Sequence, residues 1–543
     1  MSIRIRSAAA LTAVTALLVT SCGDAGTGPA GGTDDDAQEG GTLRYAQTSL
    51  PPDGADPHVE PSLAAQQIAR PVVDSLVYED EDGQFHPWLA EDWEISEDGT
   101  EYTFYLRDDV TFSDGTEFNA EAVVANFDRI IDPETESLFA NTLIQPYESS
   151  EAVDEHTVVV RLSEPSAPFL QAVSGVNLGI QSPAAFESAG EGYGYEIVGS
   201  GPFTIESYSP DTEIRLARRE DYDWAPEPSE QQGPANLEEV VISALGESST
   251  RTGALQSGSV DAIGEVPALD AERLEAEGYQ IVNTQAGGVP YTIWFNVERE
   301  PFGDQRVREA FRASVDVDSI VTTLYGDVIE RGWSVLTPNT TYYNADLERS
   351  WDYDPEHAAA LLDEAGWDET DEEGYRINEE GERLTVVAIQ EQTNREQRDQ
   401  YLLAVQDSAA AAGFDVEVEF LESGSISDRD VSGDYDIRAS SFSRTDPDIL
   451  KMNVWSENLP PSGQNRSRVQ SDQIDDLLLR GAAEQDEAER EAIYYELQDF
   501  INEEVYGFPG FLPAYTLAHA DHVHGFTTGP TQWPTFYTAW IED

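Results

Sequence analysis

One apolar run, Ala8 to Val19, and the cysteine that follows it, Cys22, set the terms on which this chain can fold. The run is shorter than the roughly 20 apolar residues that a bilayer-spanning helix needs, and no later stretch approaches that length, which excludes a membrane-spanning fold. Cys22 is the single cysteine among 543 residues. No internal disulfide can form, and tertiary structure must rest on the burial of apolar side chains alone.

Arg4 and Arg6 precede the apolar run, and Val19-Thr20-Ser21-Cys22-Gly23 closes it. A basic patch followed by a short apolar segment is the layout of a secretory signal. Where a soluble secreted protein would carry an Ala-x-Ala site, the sequence resembles the bacterial lipobox that ends in an acylated cysteine. The expectation is a signal peptide over 1–21 and a lipid on Cys22. The stretch 23–40 has no aromatic or branched apolar residue and is rich in Gly and Asp, so with Cys22 it reads as a flexible tether. It would hold the folded body on the order of 25 Å from the lipid surface.

The 106 acidic residues outnumber 30 basic ones, for a formal charge of −76. They are spread over the whole chain, and Lys451 is the sole lysine. Such a surface repels nucleic acid and anionic lipid, so neither is an expected partner. It suits an exposed protein adapted to high salt, where counterions screen self-repulsion. The length exceeds what one hydrophobic core normally supports and calls for two or more lobes.

Local signals organise the folded part. Thr42 to Tyr45 reads as a strand, the Pro- and Gly-rich segment 49–57 as a loop, and Ser62 to Leu76 as a helix. Trp93-Glu94-Ile95 and Tyr102 to Leu106 alternate as strands do and are joined through Asp98-Gly99, which predicts a hairpin. A second Asp-Gly at 114–115 turns the chain again, and Asn119 stands where a helix cap belongs. Asp354-Pro355 and Gly366 bracket a further helix, with Asp as cap and Pro in the first turn. From Ser471 to Val505 two amphipathic helices follow, with Ile474, Leu477 and Leu478 on one face and Ile493, Leu497, Phe500 and Ile501 on the next.

Taken whole, Leu89-Ala90-Glu91-Asp92-Trp93-x-x-Ser96-x-Asp98-Gly99-x-x-Tyr102-Thr103-Phe104-x-Leu106-Arg107, continuing through Val110, Phe112, Asp114-Gly115 and Phe118, resembles the hallmark of the extracellular solute-binding protein family 5. The resemblance continues in order through Val198 to Phe203, Ala254 to Asp261, Phe295-Asn296, Pro301 to Ala310 and Asp354 to Trp367. It implies an α/β, two-lobe periplasmic-binding-protein-like fold of the large type II, cluster C form, with an extra subdomain in the first lobe and a cleft between lobes. The implied boundaries are 41–290 for the first lobe, with the extra subdomain at about 65–195, then 291–514 for the second lobe and 515–543 for the return to the first. Hinge crossings are expected near Gly288 to Phe295 and near Pro513 to Leu517.

The family's peptide-binding members place an Asp for the ligand's amine shortly after a Gly-Trp pair. Here Phe442 stands where Trp is usual, and Arg444 or Thr445 falls at the Asp position. An Arg in a closing cleft favours a carboxylate. The expected ligand contacts are therefore Arg444, Phe442 and Thr445, with Gln47 reaching from the end of the first strand. The alternative for Arg444 is an outward pairing with a surface acid.

His519, His522 and His524 could suggest a metal, but strand alternation should send His519 and His522 apart and put His522 with His524. Glu79 to Gly83 reads as a solvated acidic turn, without calcium-loop spacing. The sequence carries no Gly-x-Ser-x-Gly, His-Glu-x-x-His or phosphate-loop motif. No metal, cofactor or catalysis is expected. The resulting picture is a monomeric, lipid-anchored capture protein on the outer face of the cell membrane, taking peptides or related anionic solutes and delivering them to ABC permease subunits. A secreted hydrolase on the same fold, or a sensor that presents its ligand, remains open as an alternative.

Overall fold

Among the described residues, three sheets of four or more strands carry the architecture. The computed structural model describes residues 37–543 apart from 82, 211, 230, 393–394, 462, 530–533 and 543. The signal segment, Cys22 and nearly all of the tether lie outside the described residues.

The first lobe is built on a seven-stranded sheet in the order Gln280–Gln285, Ala514–His519, Ala262–Ile263, Thr42–Gln47, Glu239–Ala244, Glu213–Arg218, Phe203–Ser209. Thr42–Gln47 runs parallel to both its neighbours, and the outer strands pair antiparallel. A four-stranded antiparallel sheet, Ala90–Ile95, Glu101–Leu106, Thr157–Leu162, Tyr147–Asp154, forms the core of an added body. The expected hairpin across Asp98-Gly99 is its first pair, and the helix Ala120–Ile131 covers it, capped by Asn119, whose side chain accepts from the Ala122 amide at 2.9 Å. Tyr102, Phe104, Phe127 and Phe169 fill the space between sheet and helices.

The second lobe has a five-stranded sheet, Asp415–Leu421, Thr385–Glu391, Ile437–Ser443, Gly288–Phe295, Gly507–Phe511. Gly288–Phe295 is buried at every position. An uninterrupted run of this kind belongs in a strand covered on both faces. Tyr291, Ile293 and Phe295 enter one core, while Val289 and Trp294 enter another, shared with Leu477, Leu478, Leu497 and Ile501. The last four come from the helices Asp472–Ala483 and Glu487–Glu504, as the sequence periodicity predicts.

Two helical expectations differ in outcome. Asp354 caps Pro355–Glu364 by accepting from the His357 amide. The helix predicted over Ser62 to Leu76 is instead Leu63–Ala69, capped by Ser62. Pro71 stops it, because a proline excludes the helical conformation from the residue before it and cannot donate to the preceding turn.

The chain passes from the first sheet to the second at Ala286-Gly287, between strands Gln280–Gln285 and Gly288–Phe295, and returns at Leu512-Pro513, between Gly507–Phe511 and Ala514–His519. The first crossing thus precedes the strand on which the sequence reading placed it. Both strands keep their pairing partners right up to the crossing, which leaves only the intervening residues to absorb a rotation.

Candidate functional site

In each large sheet the parallel strands end on the same side, where α/β proteins place ligand contacts. In the first lobe, Thr42–Gln47 ends at Thr48 and Ala262–Ile263 ends at Gly264-Glu265. A Cβ at Gly264 would lie 2.1 Å from the Tyr45 hydroxyl oxygen and 2.4 Å from that of Tyr515. These two phenols share a hydrogen bond of 2.7 Å, and burial raises the pKa of both. Only glycine fits there, and Glu265 next to it takes a φ of +51°, a left-handed backbone that a non-glycine residue adopts under strain. The Glu265 carboxylate accepts from the Thr48 amide at 3.1 Å and from the Thr48 hydroxyl. Arg251, buried beneath, donates to the carbonyl oxygens of Leu245 at 2.7 Å, Gly246 at 2.9 Å, Gly264 at 3.2 Å and Glu265 at 3.1 Å. The loop is therefore rigid at the point where strain is stored.

In the second lobe, the segment after Thr385–Glu391 carries Arg395, Glu396 and Arg398. Glu396 and Gln397 are again left-handed, at φ +53° and +51°. Arg398 is buried, donates to Glu396 Oε2 and Ser441 Oγ, each at 2.7 Å, and stacks its guanidinium over the Tyr291 ring at 4.6 Å. Arg395 keeps 49% of its side chain exposed and donates to Ser441 Oγ at 3.3 Å. The Arg398 cation lowers the Arg395 pKa, while Glu396, Glu265 and Glu391 raise it. Glu265 of one lobe thus lies within electrostatic range of Arg395 on the other, and the two form no direct ion pair. Arg395 also meets Glu396 of its own loop, Nε to Oε2 at 3.8 Å, so Glu265 and Arg395 are an acid and a base carried on different lobes.

The residues expected from sequence fall nearby but in different roles. Arg444 Nε donates to Gln171 Oε1 at 2.6 Å and its Nη2 to the Pro168 carbonyl at 3.3 Å, both on the added body of the first lobe. Its bonded partners are neutral groups, so the outward pairing with a surface acid is not what the structure contains. Thr445 donates its hydroxyl to Glu79. Phe442 is half-buried and packs against the cluster that includes Val289, Leu336 and Leu450. Gln47 is 2% exposed and donates its Nε2 to the Ser49 carbonyl at 2.8 Å, while its Oε1 is buried without a hydrogen-bond partner.

Glu79 is a correction to the expected solvated turn. It closes the strand Val77–Glu79, paired with Phe85–Pro87, and is buried rather than solvated. The three histidines also separate: His519 sits edge-on to Phe526, His522 meets Asp261 at 3.2 Å, and His524 stacks on Trp540. His522 and His524 therefore have different partners, because the strand Val523–His524 begins only after a turn. Among the described residues no group of three or more His, Cys, Asp or Glu is placed to hold a metal, and no helix is long and apolar enough to cross a membrane.

Sequence alone gives no signal for Glu265, one acid among 106, or for Arg395 in a polar stretch. Their positions depend on strand order, which brings together segments 130 residues apart.

The family model described as bacterial extracellular solute-binding proteins, family 5 Middle, matches residues 84–456. The chain belongs to that family. It is 26% identical over 485 residues to the glutathione-binding protein GsiB of Escherichia coli strain K12, covering 88% of this chain and 90% of that one. NikA from Brucella suis, solved with Fe(III)-EDTA, superposes with a TM-score of 0.83 at 25% identity, covering 92% of this chain and 100% of NikA. The periplasmic binding protein DppA from Helicobacter pylori, solved with the peptide STSA, superposes at 0.76 with 25% identity, covering 93% of this chain and 99% of DppA. The family 5 fold is thus present over nearly the whole described chain, and this family 5 protein is a solute-binding component of an ABC importer. Members of the family are binding proteins rather than enzymes.

Proposed function

We propose that this family 5 protein captures a small solute bearing a carboxylate, together with an amine or comparable donor, in the gap between Glu265 and Arg395, and presents it to ABC permease subunits at the outer face of the membrane. The observation that carries this reading is the opposed pair itself. An acid and a base held apart by rigid, strained loops on separate lobes match a ligand that brings the complementary charges. Closing the lobes removes water and strengthens both contacts. The ligands of two relatives support the same chemistry, since glutathione and a free peptide each carry an amine and a carboxylate.

The accompanying organisation is a lobe over 41–290 and 515–543, a lobe over 291–514, a signal over 1–21 and a tether over 22–40, acting as a monomer without catalysis. Changing Cys22 to Ala would move the protein from the membrane fraction to the medium if the cysteine carries lipid, and unchanged membrane retention would overturn the anchor.

The ligand test is mass spectrometry of the small molecules that co-purify, followed by isothermal titration with the identified compound. Truncating one partner of a desolvated charge pair costs about 3 to 5 kcal/mol, so Arg395→Ala is expected to weaken binding by on the order of a hundredfold or more. Glu265→Gln should weaken amine-bearing ligands and leave purely anionic ones unchanged. Equal affinity in both variants removes the pair from the site, and recovery of a hydrolysed compound would favour the hydrolase reading.

A further inference from the structure

Away from Glu265 and Arg395, the added body of the first lobe meets the second lobe along a seam of direct hydrogen bonds. Arg444 reaches Gln171 and the Pro168 carbonyl, as described, and the Thr445 hydroxyl donates to Glu79. Gln171 Nε2 donates to Glu79 Oε2 at 3.3 Å and to Thr445 Oγ1 at 3.4 Å, and the Ser174 hydroxyl, whose shorter bond is to the Gln171 carbonyl at 2.7 Å, lies 3.4 Å from Glu79 Oε2. Farther along, the Ala167 amide donates to the Ala482 carbonyl at 2.8 Å. Near it Gly99 lies so close to Gln485 that a Cβ would be 2.8 Å from the amide nitrogen.

These contacts differ from chance surface pairing in two respects. Glu79 is 8% exposed, and its burial raises its pKa, which Asp446 raises further, against Thr445, Gln171 and Arg444 acting to lower it. A buried carboxylate needs its donors, and Thr445, one of its two, comes from the opposite lobe. Arg444 gives two guanidinium donors to neutral acceptors in a chain with 106 acids available. Gln171 stands at the centre, accepting from Arg444 with its oxygen and donating to Glu79 and Thr445 with its nitrogen, so its amide is used in one orientation only.

We propose that Glu79, Gln171, Arg444 and Thr445 form a latch that holds the lobes closed through the protein's own atoms, with the Ala167 to Ala482 bond as its second point. The four side chains are positioning residues. They set how much of the protein occupies the closed state before any solute arrives, and a ligand that binds the closed state gains apparent affinity in proportion to that fraction. The latch stands apart from the reading of Glu265 and Arg395 and holds whichever solute the gap accepts.

The test needs no ligand. Spin labels at Glu97→Cys and Ala488→Cys, both exposed and on opposite sides of the seam, are introduced into the mature chain with Cys22→Ser. The protein is stripped of small molecules by dialysis in guanidinium and refolded, and the distance distribution is read by pulsed electron resonance. The expected result is one short-distance population in the otherwise unaltered protein. In Thr445→Val with Arg444→Met a longer-distance population should appear, the closed-to-open ratio falling about tenfold or more, as loss of a hydrogen bond to a carboxylate implies. Thr445→Ser, which keeps the hydroxyl, should restore the short distance. Circular dichroism melts establish that each variant is folded. An open ligand-free parent, or a folded double variant whose distances match the parent, would overturn the latch.

Discussion

The amide of Ala286 donates to the carbonyl oxygen of Pro513 at 2.9 Å, so the two segments that cross between the lobes are bonded to each other at the crossing. The next residues are equally constrained. Gly288 has a φ of +114°, and a Cβ there would lie 2.2 Å from the Phe442 carbonyl oxygen and 2.8 Å from the Arg444 nitrogen.

Gly288→Ala is therefore expected to lose about 3 kcal/mol or more of unfolding free energy, from strained backbone and overpacking combined. Gly366 supplies the control. Its φ is +90° with nothing within 4 Å of a built Cβ, so Gly366→Ala should show the conformational cost alone, about 1 to 2 kcal/mol. Urea titrations of the two variants would separate these contributions, and equal losses would refute the close approach at Gly288.

Arg251 gives a second expectation. Its guanidinium serves four carbonyls and no carboxylate at bonding distance. Arg251→Met should leave those oxygens without their donor and cost about 3 kcal/mol or more. Arg251→Lys should recover only part of this, because an ammonium cannot span the same fork of acceptors. Since the carbonyl of Glu265 is among the four, solute affinity should fall with stability, measured by titration beside denaturant unfolding. Full rescue by lysine would contradict the bonding pattern.

Two buried groups of the first lobe act on stability in opposite directions. His58 is almost fully buried, and its pKa is lowered to about 4, chiefly by burial. Between that value and the ordinary 6.5 the unfolded chain binds a proton that the folded chain does not, so this contribution is present at neutral pH and is lost on acidification. Asp74 is pushed up to about 6, again chiefly by burial, despite hydrogen bonds from Ser200 and Trp224. Between its ordinary 3.8 and about 6 the folded chain holds the proton, so stability falls as pH rises through that window. Each shift corresponds to about 3 kcal/mol at its limit. The two largely cancel between about pH 4 and 6. His58→Gln should expose the falling Asp74 slope and Asp74→Asn the rising His58 slope, read from melting temperatures across that range. Parallel pH profiles for the two variants would contradict the opposed shifts.

The charge of −76 sets a fourth expectation. Melting temperature should rise as NaCl goes from millimolar to molar, because screening relieves repulsion within the compact state. A flat or falling curve would remove salt adaptation from the account.

Local chemistry made much of the fold legible. The Asp98-Gly99 hairpin, the Asn119 and Asp354 caps and the helices after Ser471 all depend on residues close in sequence. Pro71 was visible too, and its power to end a helix outweighs the apolar pattern that continues to Leu76. The site was less legible, for a physical reason. Phe442 lies on a strand face that packs against helices from a later segment, and Gln47 bonds to its own loop at Ser49. Glu265 and Arg395 acquire their relationship only when the two sheets are assembled. Glu79 resembles a surface acid until the Thr445 hydroxyl, 366 residues away, covers it.

The strand order of the first lobe bears on how the chain is made. Ala514–His519 lies inside the seven-stranded sheet, between Gln280–Gln285 and Ala262–Ile263, whereas every strand of the five-stranded sheet falls between Gly288 and Phe511. The second lobe can assemble from one continuous stretch, but the first must leave a slot in its sheet until the final part of the chain emerges. The lobe that begins first in synthesis is the one that finishes last, and its unpaired strand edges need protection until that strand arrives.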